Sequence, residues 1–513
     1  MKHFSAAIGL LLILSICFPA FSQEGILPAK ITVYEDSVIK KADRGMLGYN
    51  NEWGGTSIIV MNSDTRTLGI SDDYLNIFRG YPMPLNRISG TVSQVFKWKW
   101  AIGPLEQRKE QKLTDWDRMA KKRLGPVEWI KSVLLIDPNA RFTWTFNMVS
   151  DTPDDHADLA EFFRGDGKSN PNGGINWAEK RDELGLQEPV NIAIWELGNE
   201  LDWKNYSESF PTVDVYIEAC KKTIAAVRKV HPEAKFAAHA ATAVFAAEQP
   251  RRYGGWEIWH RKVLEQLGDQ IDFLVYHPYY NDKVSVQRQE SYIDIIKADI
   301  LKITGNNRIK FYLSEHAMHP GHISPETKSS WYQTHALSGV LLTAEWMNRM
   351  LTREDVAVLA YHAFSSGPWG LVYRDERTRL LYTTGIFDLF KILNQAYGES
   401  VVKTNISGDF TDLKKSDCTL TAVTMATKQG LNIILVNRAP LMKRDVSFEF
   451  RDKYMLLKEI TLTAKDMDAC NTLDRKEITV TSKDINSEEN FNSYVVPAKS
   501  MLVLYLKKNG ARF

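Results

Sequence analysis

Residues 191–240 read, in successive tens, NIAIWELGNE, LDWKNYSESF, PTVDVYIEAC, KKTIAAVRKV and HPEAKFAAHA. The first ten begin with a short apolar, β-branched run, TVDVYIEACKKTIAAVRKV has apolar residues at helical spacing, and KFAAHA (235–240) is a second short apolar run. Strand, helix and strand in that order predict a βα unit and the strand that opens the next. The alternation extends both ways. MLGYNNEW (46–53), PLNRISG (84–90) and RFTWTFNM (141–148) precede it, and IDFLVYHPY (271–279), IKFYLSEHA (309–317) and VAVLAYHAF (356–364) follow. Helix-like segments such as PVEWIKSVLLI, IWHRKVLEQL and SYIDIIKADILKI lie between them. Eight strands alternating with helices predict an α/β fold, a (β/α)8 TIM barrel over residues 45–395. The alternative, a doubly wound open sheet, should place a glycine-rich phosphate turn after its first strand, and that turn is missing.

Past the barrel the pattern changes. TLTAVTMATKQ, GLNIILVNRAP, RDVSFEFRD, KEITLTAK and KSMLVLYLKK alternate apolar and polar residues, the mark of half-buried antiparallel strands. Residues 396–513 therefore read as a C-terminal antiparallel β-sandwich. AKITVYEDSVIKK alternates in the same way, so residues 23–44 are expected to add an N-terminal strand to that sandwich. Ahead of it, Lys2 and His3 precede an apolar run from Ala6 to Phe21, which ends Ala20-Phe21-Ser22. This pattern predicts a signal peptide over residues 1–22 and a periplasmic or extracellular protein.

Composition narrows the function. Lys+Arg number 64 and Asp+Glu 63, so there is no basic surplus to hold nucleic acid. With 44% hydrophobic and 25% charged residues, the chain is neither disordered nor a coiled coil, and four cysteines are too few for a disulfide scaffold. All 14 tryptophans lie between Trp53 and Trp369, within the predicted barrel. Trp98, Trp100, Trp203, Trp256 and Trp369 follow or flank strand ends and are candidates for stacking on flat ligands; Trp129, Trp144, Trp331 and Trp346 read as core.

Barrels of this kind carry their chemistry where the strands end. The fourth strand ends Trp195-Glu196-Leu197-Gly198-Asn199-Glu200 and the seventh Leu313-Ser314-Glu315-His316. A carboxylate at the mouth of an apolar barrel is unfavourable unless it is paired or used. Two of them on separate strands facing one mouth suit glycosidic hydrolysis, in which one protonates the leaving oxygen and the other attacks the anomeric carbon. Glu196 lies deeper in its strand and reads as structural.

These residues resemble a family. WELGNE is similar to the acid/base motif of clan A glycoside hydrolases, and GYNNEWGG, NRISGT, WKWAIGP with Arg108, TFNMVSDTPDDHADLAEFF, DFLVYHPYY and GIFDLFKILNQAYGE follow the order of family 51, the α-L-arabinofuranosidases. The resemblance implies a retaining mechanism with Glu200 as acid/base and Glu315 as nucleophile. It further implies Asn199 on the sugar 2-hydroxyl, Glu52 in subsite −1, Arg87 supporting the nucleophile, and His277 and Tyr279 beside it. Trp98 and Trp369 join as sugar-stacking candidates. Retention predicts carboxyl groups ~5–5.5 Å apart. The chain departs from the family pattern at Ile88-Ser89-Gly90-Thr91, where Tyr-Pro-Gly-Gly-Asn is usual, and at Ser365-Ser366-Gly367-Pro368-Trp369-Gly370, where Asn and Gln are usual. Both departures fall on substrate binding. Other clan A activities and a non-catalytic carbohydrate-binding barrel are the alternatives.

The expected partner is a carbohydrate, with no nucleic acid and no membrane span. No cofactor and no metal are called for: His316, His319 and His322 are spaced by three, but Pro320 interrupts any helix that would align them.

Overall fold

The computed structural model describes residues 25–51, 59–61, 68–113, 119–241, 256–281, 284–320, 333–364, 367–375, 377–408, 420–485 and 487–510. Eight strands form the barrel: β1 (Gly48–Asn51), β2 (Leu85–Ile88), β3 (Arg141–Thr145), β4 (Ile192–Glu196), β5 (Phe236–His239), β6 (Phe273–Val275), β7 (Lys310–Met318) and β8 (Val356–Tyr361). Neighbours pair in sequence order, β8 pairs with β1 and β6 with β7, every pairing parallel, so the ring is closed. Closure excludes the doubly wound sheet.

Helices cover the outside. Val213–Val230 packs Tyr216, Ile217, Cys220, Ile224 and Val227 inward, the spacing of one helical face, and Thr212 caps its start by accepting from the Val215 amide. Pro153–Arg164 begins with a reciprocal Thr152/Asp155 capping box. No helix among the described residues is long and apolar enough to cross a membrane.

Inside the barrel, side chains repeat every second residue. Leu85, Ile194, Ala237, Val275, Tyr312, Val358 and Ala360 form one buried interior cluster. Two residues further along β2, β4, β5 and β7 come Arg87, Glu196, His239 and Ser314, all buried, and His277 and His362 continue the same parity past β6 and β8. The period that fills the lower barrel with hydrocarbon therefore fills its C-terminal mouth with polar groups.

A second, nine-stranded sheet carries the C-terminal strands and curls around its own core. Gly25–Lys41 lies within it, antiparallel to Ser400–Gly408 and parallel to Met442–Glu449. Ile433 and Leu435 face that inner core, whereas Ile434 and Val436 pack with the barrel helices; Leu502 and Leu504 alternate with Met501 and Val503 in the same way. Burial on both faces explains the unbroken apolar stretch IILV, where an exposed strand would alternate. Helix Leu337–Leu351 sits at the junction, with buried Glu345 bonded to Arg438 at 2.8 Å. Lys40 Nζ donates to the carbonyls of Met350, Arg353 and Val356 at 3.3, 2.8 and 2.9 Å, tying the first strand to the barrel.

Candidate active site

The polar layer is organised around Arg87 on β2. Its Nε and Nη2 donate to Glu196 Oε2 and Oε1 at 2.6 and 2.9 Å, its Nη1 to Glu315 Oε1 at 2.7 Å, and Nη2 also to Asn199 Oδ1 at 2.6 Å. One fully buried guanidinium thus joins β2, β4 and β7. Burial would lower the Arg87 pKa, but the charges of Glu196 and Glu315 outweigh it and raise it. Glu196 also accepts from Thr145 Oγ1 (2.8 Å), Ser314 Oγ (2.7 Å) and His239 Nε2 (3.2 Å). Burial pushes its carboxyl up, and Arg87 with the His239 hydrogen bond pulls it down to about 2. A buried anion surrounded by donors on every side is a structural pivot, as the sequence reading has it.

Glu200 and Glu315 sit above this pivot. The chain leaves β4 through Gly198 at φ +86°, where an added Cβ would stand 2.4 Å from Leu201 Cδ1, and Glu200 itself is held at φ +50°. A left-handed glutamate is uncommon, and such strain is tolerated where a side chain must be aimed. Glu200 Oε1 lies 2.8 Å from His277 Nδ1. Glu315 accepts Tyr279 Oη on Oε2 at 2.7 Å, and the same oxygen stands 3.7 Å from His277 Nδ1 and 3.9 Å from His362 Nδ1. One oxygen of each glutamate and a His277 nitrogen all lie within 4.8 Å of one another.

The two carboxyls are pushed apart electrostatically. Burial and then the charge of Glu315 raise Glu200 well above the ordinary carboxyl range. Burial acts on Glu315 too, but His277, His362, Arg87 and the Tyr279 hydroxyl outweigh it and hold that carboxyl low. Burial also depresses His277 to about 4, so Arg87 is the permanent cation of the set. One carboxyl kept protonated beside another kept ionised is the arrangement of an acid and a nucleophile.

The other expected residues divide. Asn199 is fully buried, and its Nδ2 donates to Thr91 Oγ1 at 3.3 Å, so Thr91 borders the site at the departure from the family pattern. Gly90 approaches so closely that a Cβ there would lie 2.7 Å from Glu315 Oε1. Trp369 donates Nε1 to the Met318 carbonyl at 2.8 Å and packs near Tyr279 and His362, with ring centroids 6.0 and 4.7 Å away. Trp98 is not brought to the cleft. It is 2% exposed, wedged between Phe162 and Trp177, and the expectation that it stacks on sugar is corrected: its 3-10 turn points the indole into the core. Glu52, Ser365, Ser366 and His322 lie outside the described residues.

Sequence reasoning missed Thr145, His239, Ser314 and His362, and also Asn50, whose Nδ2 lies 2.7 Å from His362 Nδ1. A signal existed, since His239, Ser314 and His362 each follow an interior apolar residue by two. Among the described residues, two clusters bring carboxylate and imidazole atoms within metal-ligand range, Glu196–His239–His277 and Glu200–His277–Glu315. Their atoms are engaged with Arg87, Ser314, Thr145 and one another, which accounts for them as a hydrogen-bond network.

A closed parallel barrel with glutamates at the ends of its fourth and seventh strands, joined to a β-sandwich, is the scaffold of clan A glycoside hydrolases. A family model described as "Alpha-L-arabinofuranosidase 1 domain" matches residues 86–296. An intracellular exo-α-(1→5)-L-arabinofuranosidase from Acetivibrio thermocellus is 24% identical over 306 residues, 56% of this chain and 57% of that protein. One from Bacillus subtilis is 21% identical over 476 residues, 86% of this chain and 90% of the relative. Among solved structures, an α-L-arabinofuranosidase from Thermotoga maritima in complex with arabinose has a TM-score of 0.75 at 21% identity, covering 94% of this chain and all of the other. A family 51 α-L-arabinofuranosidase from Bifidobacterium longum has a TM-score of 0.78 at 17% identity, covering 93% and 99%. The chain is thus similar to arabinofuranosidases and resembles family 51 of clan A glycoside hydrolases.

These comparisons correct the expected location. Relatives from Acetivibrio thermocellus, Streptomyces lividans, Bacillus subtilis and Halalkalibacterium halodurans are named intracellular, which points against export. A basic start followed by an apolar run is only a compositional pattern, and residues 1–22 lie outside the described part of the chain.

Proposed function

We propose that this chain is a retaining glycoside hydrolase that releases α-L-arabinofuranosyl units by double displacement. The observation that carries the reading is the pair Glu200 and Glu315, with one oxygen of each facing the same nitrogen of His277 and all three atoms within 4.8 Å. Carboxylate oxygens this close favour the ~5–5.5 Å separation of a retaining enzyme over the ~6.5–9.5 Å of an inverting one. Glu315 attacks the anomeric carbon while Glu200 gives its proton to the departing oxygen. Glu200, now a base, takes a proton from water, which displaces Glu315 and releases the sugar with its configuration retained.

In this reading Arg87 and Tyr279 hold the nucleophile by two hydrogen bonds, Asn199 meets the 2-hydroxyl, Glu52 binds the sugar in subsite −1, and the Trp369 face covers the ring. Residues 45–395 form the catalytic barrel, and 23–44 with 396–513 the sandwich. The names of the relatives support an exo-acting, arabinose-releasing enzyme. The test is hydrolysis of aryl glycosides of arabinofuranose, xylose, galactose and glucuronic acid, with the first-formed anomer followed by NMR. Arabinofuranoside cleavage with retention is expected. First release of the inverted anomer, or cleavage of pyranosides alone, overturns the proposal.

A further inference from the structure

Four side chains form a continuous wire beneath the acid. Ser314 Oγ lies 2.7 Å from Glu196 Oε1, His277 Nε2 lies 2.8 Å from Ser314 Oγ, and His277 Nδ1 lies 2.8 Å from Glu200 Oε1. Its protons can be counted. Arg87, Thr145 and His239 donate to Glu196, which acts as an ionised acceptor. The single Ser314 proton must therefore point at Glu196, because two bare oxygens at 2.7 Å would repel. Ser314 Oγ is then the acceptor from His277, which fixes the ring proton on Nε2. A neutral imidazole so placed presents a bare Nδ1 to Glu200, and the 2.8 Å contact requires the proton to sit on the Glu200 carboxyl.

We propose that Ser314 is a positioning residue: by fixing the His277 tautomer it keeps the proton on Glu200, the acid of the reaction proposed above. A serine with its hydrogen turned the other way would favour the Nδ1–H tautomer, which stabilises the Glu200 carboxylate and removes the acid. The other groups facing Glu200 are Glu315 on β7, whose charge also favours the proton, and His239 on β5, Arg87 on β2 and His362 just past β8, which oppose it. Burial, and then the charges of Glu200 and Glu315, raise the phenol of Tyr206 in the loop after β4. The wire is what tips this balance through a directional contact.

The inference rests on the glycosidase reading for its kinetic readout only; its tautomer readout stands alone. In the full chain with 15N-labelled histidine, long-range 1H–15N correlation near pH 7 should show His277 protonated on Nε2, with the signal assigned by its loss in His277→Gln. Ser314→Ala should move the proton to Nδ1. With aryl arabinofuranosides, Ser314→Ala should shift the alkaline limb of the kcat/KM profile down by about one pH unit and slow poor leaving groups about tenfold more than good ones. Ser314→Thr, which keeps the hydroxyl, should restore both. An Nδ1–H or doubly protonated His277 in the unaltered protein overturns the proposal. So does a Ser314→Ala variant that slows all leaving groups equally with an unmoved alkaline limb. Absence of glycosidase activity in the unaltered protein would instead overturn the proposed function, and the tautomer would still decide the role of Ser314.

Discussion

The barrel interior has two layers built by the same strands. In the lower layer, Leu85, Ile194, Ala237, Val275 and Ala360 bury hydrocarbon against hydrocarbon, and Tyr312 adds one polar contact, its hydroxyl 2.6 Å from Thr143 Oγ1. In the upper layer, two residues along, Arg87, Glu196, His239, His277, Ser314 and His362 bury charge and hydrogen bonds. The lower layer is non-directional, so substitutions of similar volume are tolerated and lost volume is felt as stability. The upper layer is directional. Its donors meet acceptors on other strands, and removing one partner leaves a buried group unsatisfied, at a cost of about 1–3 kcal/mol for a neutral group and more for a charged one. Stability resides mostly in the first layer and chemistry in the second.

That contrast can be broken at four points. The largest effect belongs to Glu315→Gln, which should reduce turnover by on the order of 10⁴-fold or more while leaving the circular-dichroism spectrum unchanged. Substantial residual turnover would remove Glu315 from the nucleophile role. Glu200→Ala comes next, with a loss of about 10²–10⁴-fold that grows as the leaving group worsens. In the proposed mechanism Glu200 must be protonated to act, and burial and Glu315 raise its pKa, so activity should persist above the ordinary carboxyl range and fall as pH rises through the raised value. This alkaline limb should vanish in Glu200→Ala. A limb at an unperturbed carboxyl pKa of about 4.3 in the unaltered enzyme would contradict the electrostatics.

In the lower layer the sign of the contrast reverses. Leu85→Ala should lose about 2–5 kcal/mol of stability in urea titration, with kcat per folded molecule nearly unchanged. A collapse of kcat at full stability would mean that the layers are not separable. The smallest effect is expected at Trp369→Ala, where losing an aromatic face should raise KM about 2- to 10-fold with little change in kcat. An unchanged KM would take Trp369 out of the sugar site.

The sequence made some of this legible and hid the rest for physical reasons. Glu200 and Glu315 stand out because a carboxylate at the end of an apolar strand is conspicuous in one dimension. Glu196 could be read as structural from its depth, but not its part in holding Arg87, because its partners come from β2, β3, β5 and β7. Ser314 looks like any serine until closure sets it between Glu196 and His277. Trp98 misled because a tryptophan after a strand end reads the same whether its ring faces the cleft or the core; Phe162 and Trp177 decide that from two helices far along the chain.

Local pattern suffices for the alternation of strand and helix, the tryptophan-free antiparallel tail and the two strand-end glutamates, because backbone periodicity and side-chain polarity are properties of neighbours in sequence. Barrel closure, the direction of each proton in the mouth and the inward turn of Trp98 depend on contacts between residues up to 312 positions apart, such as Asn50 and His362. Those contacts exist only once β8 meets β1 and water leaves the mouth, and in that low-dielectric space geometry, more than composition, fixes which carboxyl keeps its proton.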